Sequence, residues 1–235
     1  MWACTSLLAQ EGLHIGFSAG PQITRIYNDE PFLDSESDFQ PEMQWSYNVM
    51  AKIGYNIGPP LGIHLGAIYS RQGMNYTVRD SASTSRRTYG QDMTYLKIPL
   101  LLHINSDPAP AMFFFELGPQ LGLLQEAIYT LDGDSIDFGV PTESILKPND
   151  IGFAWAIGAE FELAPWYHLV INHRGDYSLM DFENKNAVDA TGTQNIYARG
   201  REAAKNGVFA FQAGMVFILN PGSGPGRKTG QLWFR

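Results

Sequence analysis

The chain has 235 residues, of which 44% are hydrophobic, 13% aromatic and 17% charged, with 24 glycines, 14 prolines and one cysteine. A net charge of −8 argues against binding nucleic acid through phosphates, one cysteine excludes an internal disulfide framework, and no run approaches the ~20 consecutive apolar residues of a transmembrane helix. The charged fraction lies below the ~25% usual for globular domains, and low charge with many aromatics and glycines suits a membrane β-barrel.

Residues 1–10, Met1 to Gln10, are apolar with small residues near the end. They read as the truncated remnant of a signal peptide, cut after Ala9 or Gln10, although the positively charged start of a complete signal is missing. An unstructured N-terminus or a lipidation site at Cys4 are the alternatives.

Residues 11–219 are dominated by a period of two, the mark of strands with one apolar face. Leu13, Ile15, Phe17 and Ala19 alternate with His14, Gly16, Ser18 and Gly20. From Trp45 to Ile57 every odd position is apolar: Trp45, Tyr47, Val49, Ala51, Ile53, Tyr55 and Ile57. The pattern returns at 61–70, 95–104, 113–123, 151–163, 169–177 and 209–219. Most of these eight segments have about ten residues or more, enough to cross a bilayer as tilted strands. The seventh is the weakest, because His173 and Gly175 fall on its apolar face.

The connections alternate in length. Gly58-Pro59-Pro60, Ser106 to Pro110 and Ala164-Pro165-Trp166 are short; between them lie long polar segments near 27–44, 77–92, 125–149 and 180–205. Short periplasmic turns and long extracellular loops are the pattern of outer-membrane barrels. The expected fold is therefore all-β: an eight-stranded antiparallel up-and-down transmembrane β-barrel in the cell outer membrane. Residues 220–235, with the run Gly222-Ser223-Gly224-Pro225-Gly226, read as a flexible C-terminal tail.

The second face of each strand carries glycine, alanine, serine, asparagine and glutamine with isolated charges, which suits the crowded interior of a small barrel. Lys52, Lys97, Glu116, Glu160, Glu162 and Arg174 share that face. Enclosed charges are costly unless paired, so these six are expected to form an interior network. Gly20-Pro21-Gln22-Ile23 is echoed by Gly118-Pro119-Gln120-Leu121. Proline cannot donate to a ladder, so each proline should sit at a bulge or where pairing stops.

Tyr95-Leu96-Lys97-Ile98-Pro99-Leu100-Leu101-Leu102 resembles the Y-L-x-I-P-L-L-L stretch of PorT-like outer-membrane β-barrel proteins. The segment Phe114 to Gly122 is similar to that family's following G-P-x-x-G strand, and Tyr69 to Gly73 to the end of its third strand. Asp176-Tyr177-Ser178-Leu179 resembles the R-Y-S-L-G-L region, with Asp176 in place of arginine and Met180-Asp181 in place of Gly-Leu. The resemblance spans about residues 13 to 219. It implies an eight-stranded outer-membrane barrel and, through the family's namesake, an association with type IX protein secretion.

Catalytic signals are weak. None of His14, His64, His103, His168 and His173 shows a metal-binding spacing within one element. His14, His64 and His103 lie on inward faces near the short-turn ends, where they either meet as a ligand cluster or join the polar interior. Asp132 to Asp137 superficially resembles a calcium loop but lacks the full pattern. Asp29, Glu30, Asp34, Glu36, Asp38 and Glu42 in the first long segment suit either a divalent ion at lipopolysaccharide, a basic partner, or plain solvation. His173, the histidine nearest the long segments, should face lipid, so a Ser–His relay is hard to assemble.

No catalytic residue, cofactor or metal site is assigned. The expected function is a non-enzymatic outer-membrane barrel that contacts membrane lipid and lipopolysaccharide and works through its loops on envelope or secretion proteins. The alternatives are a small porin or ligand carrier, and an outer-membrane hydrolase using loop acids such as Asp132 and Asp134.

Overall fold

A computed structural model describes residues 12–27, 38–58, 60–79, 86–106, 111–135, 145–164, 166–184 and 204–219. Its strands are β1 (Gly12–Tyr27), β2 (Asp38–Gly58), β3 (Leu61–Arg79), β4 (Arg86–Asn105), β5 (Ala111–Leu131), β6 (Asp134–Ser135), β7 (Asn149–Ala164), β8 (Tyr167–Ser178) and β9 (Lys205–Ile218). Every long strand pairs antiparallel with its neighbours, β5 passing directly to β7, while β1 pairs with both β2 and β9. The eight long strands thus close into a barrel with no free edge, as a sheet crossing hydrocarbon must. The two-residue β6 only folds back on β5.

The direction of the apolar face decides what kind of barrel this is. On β2 the odd residues look outward: Trp45 is 70% exposed and Ile57 60%. The even residues Asn48, Met50 and Lys52 are buried in the lumen. A water-soluble barrel or sandwich hides its apolar side; this one shows it around the whole circumference, from Phe17 and Ile63 to Ile157, Ile171 and Phe211. Only hydrocarbon makes that arrangement favourable.

The strands outrun the apolar pattern. β2 begins at Asp38, β3 continues to Arg79, β4 starts at Arg86 and β5 ends at Leu131. Much of what reads as loop at 27–44, 77–92 and 125–149 is therefore paired strand. In these extensions the apolar alternation of the sequence fades while the ladder continues. Residues 1–11, 28–37 and 220–235, which hold the signal remnant, most of the first acidic cluster and the tail, lie outside the described residues.

The acidic run at Asp132 is a turn. Asp132 (φ 53°) and Gly133 (φ 94°) are both left-handed, the signature of a tight Asp-Gly hairpin, closed by Leu131 opposite Asp134. Asp132 Oδ1 accepts a hydrogen bond from the Thr88 amide at 2.8 Å. Its carboxylate is used to hold β4, which explains the residue without calcium.

The repeated Gly-Pro pairs share one geometry. Between β1 and β9 the ladder lapses after Ala19–Ala213 and resumes at Gln22–Ala210 in unchanged register. Between β4 and β5 it lapses between Leu102–Leu117 and Pro99–Gln120, again without a shift. Each proline therefore sits where pairing is interrupted on one side, with no bulge. The preceding glycines let backbones close in: a Cβ on Gly20 would strike the Phe211 carbonyl oxygen, and one on Gly118 that of Leu100. Gly118→Ala is expected to cost about 1–3 kcal/mol by overpacking, read as a lower urea midpoint of the detergent-refolded barrel. An unchanged midpoint would mean the close approach is dispensable.

Candidate functional site

The lumen near the short-turn end holds a compact set of ionisable groups, supplied by alternate residues of adjoining strands. Glu116 of β5 is its centre and is almost fully buried. One carboxylate oxygen, Oε1, lies 3.0 Å from Lys52 Nζ, 2.7 Å from His64 Nδ1 and 3.1 Å from His103 Nδ1. With both Nδ1 atoms donating, His64 Nε2 is left as an acceptor, and His14 Nε2 stands 3.0 Å from it. The His64 and His103 rings stack at 4.2 Å. Lys52 also lies over the Phe114 ring at 5.4 Å.

Local sequence makes this crowding possible. Gly54 of β2 sits between His14 and His64 in the ladder, and any side chain there would collide with both imidazoles. Beside the cluster, His168 Nδ1 of β8 meets Glu160 Oε2 of β7 at 3.3 Å. Farther along the lumen, Lys97 is ion-paired with Asp176, Arg174 donates to Gln120 Oε1 at 2.6 Å, and Ser178 donates to Asp150.

The structure therefore brings Lys52 and Glu116 together directly and places Lys97, Glu160 and Arg174 in the same enclosed space with other partners. Glu162 also makes an interaction of its own. It falls on the same side of its strand but two residues beyond Glu160, at the short-turn rim, where it is exposed. Asp176 and Asp150 belong to the interior set and were not among the expected six. Asp176 shares the even parity of Asn172 and Arg174, a signal that was available in the sequence. Its partner on β4 was not.

Among the described residues, apolar side chains pack together towards the opposite end. Leu146 and Phe182, from the segments before β7 and after β8, are nearly or fully buried among Ile26, Met74, Met93, Tyr95, Ala127 and Ala204. Backbone bonds knit the two segments together: the Lys147 amide donates to the Phe182 carbonyl at 2.7 Å, and Asn184 to Ile145 at 2.8 Å. The Asp181 carboxylate accepts from the amides of Glu183 and Ala204, each at 3.1 Å.

The hydrolase candidates do not converge. Asp132 is at the outer hairpin tip. His173 is on the lipid-facing side, with its ring 4.7 Å from Phe211 and 5.2 Å from Trp155, and its Nδ1 3.1 Å from the Ala210 carbonyl.

The family comparison gives the same architecture. A family model described as outer membrane protein beta-barrel domain matches residues 8–184. A search of curated proteins finds no match. Among solved structures, Neisserial surface protein A is similar with 13% identity and a TM-score of 0.49, covering 89% of this chain and 99% of that one. The outer membrane protein OprG of Pseudomonas aeruginosa is similar with 11% identity and a TM-score of 0.47, covering 89% and 97%. Ail, the attachment invasion locus protein of Yersinia pestis, is similar with 17% identity and a TM-score of 0.42, covering 88% and 99%.

Proposed function

Because the chain belongs to the outer membrane protein beta-barrel domain family, and so resides in the outer membrane, we propose that it is a non-enzymatic barrel that works by contact, engaging envelope or secretion proteins through its outward-projecting segments. One observation carries this reading. The lumen is filled at both ends, by the Glu116 network on one side and by the Leu146–Phe182 cap on the other. Eight strands enclose only enough space for side chains, and here buried polar and apolar side chains occupy it. The surface is left as the working part: an apolar belt against lipid and lipopolysaccharide, and hairpins that extend beyond it. The PorT-like residues at 95–102 and 114–122 support a partner in protein export or envelope assembly.

The test is crosslinking in intact cells, then mild solubilisation and isolation of the barrel. Specific recovery of one or a few envelope proteins is the expected result. A barrel recovered alone, with normal protein secretion in its absence, would overturn the reading. So would discrete conductance steps in planar bilayers, because a pore requires the cap to stand aside.

A further inference from the structure

We propose that His64, His103 and Glu116 form a binding site for one divalent first-row transition-metal ion inside the short-turn half of the barrel. Three strands contribute one donor each: β3 gives His64 Nδ1, β4 gives His103 Nδ1 and β5 gives a Glu116 carboxylate oxygen. One ligand atom from each of the three residues lies within 4.8 Å of the others, and all three residues are buried. Two imidazoles and a carboxylate suit zinc, copper, nickel or iron, whereas calcium and magnesium prefer oxygen-only surroundings.

The distances fit a site that is closed on itself by hydrogen bonds. Bonds of about 2.0–2.2 Å from zinc to nitrogen and oxygen set neighbouring donors of a tetrahedron about 3.3–3.5 Å apart. The His64 and His103 nitrogens stand 2.7 and 3.1 Å from Glu116 Oε1, so small side-chain rotations open the required space. The strands need not move. The cluster lies close to the short-turn mouth: His14 is the third residue of β1 and Glu116 the sixth of β5.

The proton balance is internal. In the metal-free barrel each ligand imidazole donates its Nδ1 proton to Glu116. On binding, Nδ1 gives its lone pair to the metal and the ring proton resides on Nε2, so neither ring changes charge. The His14–His64 contact at 3.0 Å then reverses polarity: His64 Nε2 donates, and His14 Nε2 accepts while its own proton resides on Nδ1. His14 becomes the outer partner that fixes the tautomer and orientation of a metal-bound histidine, a role such ligands usually require.

Lys52 is the competitor. Its ammonium occupies the same oxygen of Glu116 at 3.0 Å and repels an incoming cation. Removing this ammonium should therefore strengthen metal binding. A purely structural network predicts no uptake at all.

The experiment uses the full chain without a polyhistidine tag, refolded in detergent, washed with chelator and titrated with zinc(II) by calorimetry. Cobalt(II) serves as a second probe through its visible d–d absorption. Folding of every variant is verified by its different gel migration before and after boiling. The expected result is one equivalent of zinc per barrel, an imidazole-type cobalt spectrum, and loss of both in the double variant His64→Gln/His103→Gln. Lys52→Met is expected to bind about tenfold more tightly or better, which tests the site even if the double variant does not fold. Absence of uptake by the folded wild type, one-equivalent uptake that persists in the double variant, or a Lys52→Met barrel that binds no tighter would each overturn the proposal.

Discussion

Glu116→Leu is expected to destabilise the metal-free barrel by about 3–5 kcal/mol, the cost typical of breaking one partner out of a buried ion pair. The carboxylate oxygen serves Lys52, His64 and His103 together. Its removal leaves an ammonium and two ring donors facing an apolar side chain, and a buried donor without a partner costs its full desolvation. Lys52 cannot escape, because it is only 6% exposed and points into the lumen. The double variant Lys52→Met/Glu116→Leu should recover most of the loss, since replacing a whole buried pair by apolar groups is often close to neutral. Urea unfolding of chelator-treated, detergent-refolded proteins reads both numbers. If the single variant costs no more than the double, the two residues are not coupled and the network is not what the geometry implies.

Ala51→Arg tests the outward face. Ala51 points away from the lumen on β2, midway between Tyr47 and Tyr55, which fit the two aromatic girdles of a spanning barrel. An arginine at the bilayer midplane of a barrel wall costs about 2–4 kcal/mol, falling to about 0–1 kcal/mol near the interfaces. Met43 is also on β2 and is 58% exposed, but it lies beyond the Tyr47 end of the apolar band. Met43→Arg should therefore be nearly neutral in lipid vesicles where Ala51→Arg is clearly destabilised. Equal costs at the two positions would place Ala51 outside the hydrocarbon.

Lys52 and Ala51 stand on the two faces of one strand, and the faces differ in how they can be read. Lys52 and Ala51 are adjacent, and alternation alone sends one inward and the other outward. Sequence therefore separated the lumen side from the lipid side wherever the apolar band ran. It was silent above the band. The paired residues of β3 and β4 between Thr77 and Gln91 carry no apolar alternation, although Thr77 and Gln91 are buried. The cap was equally illegible: Leu146 and Phe182 lie in segments with no period, and only the packed structure shows that they turn into the lumen. Glu162 marks the other limit. Parity placed it correctly on the inner side of its strand, but parity does not say how far along the axis a residue stands.

Eight spanning strands, the alternation of short and long connections, and the enclosed charges follow from the sequence because strand periodicity is local: each side chain's direction depends only on its position in its own strand. Which enclosed groups meet was decided by barrel closure. Lys52 and Glu116 are 64 residues apart and Lys97 and Asp176 are 79 apart; the stagger between strands brings each pair to the same height. The convergence of His64 and His103 on one carboxylate, with His14 behind His64, belongs to that second class. Three strands each carry a histidine on the inner face, but only the fixed register of the closed sheet sets their rings side by side.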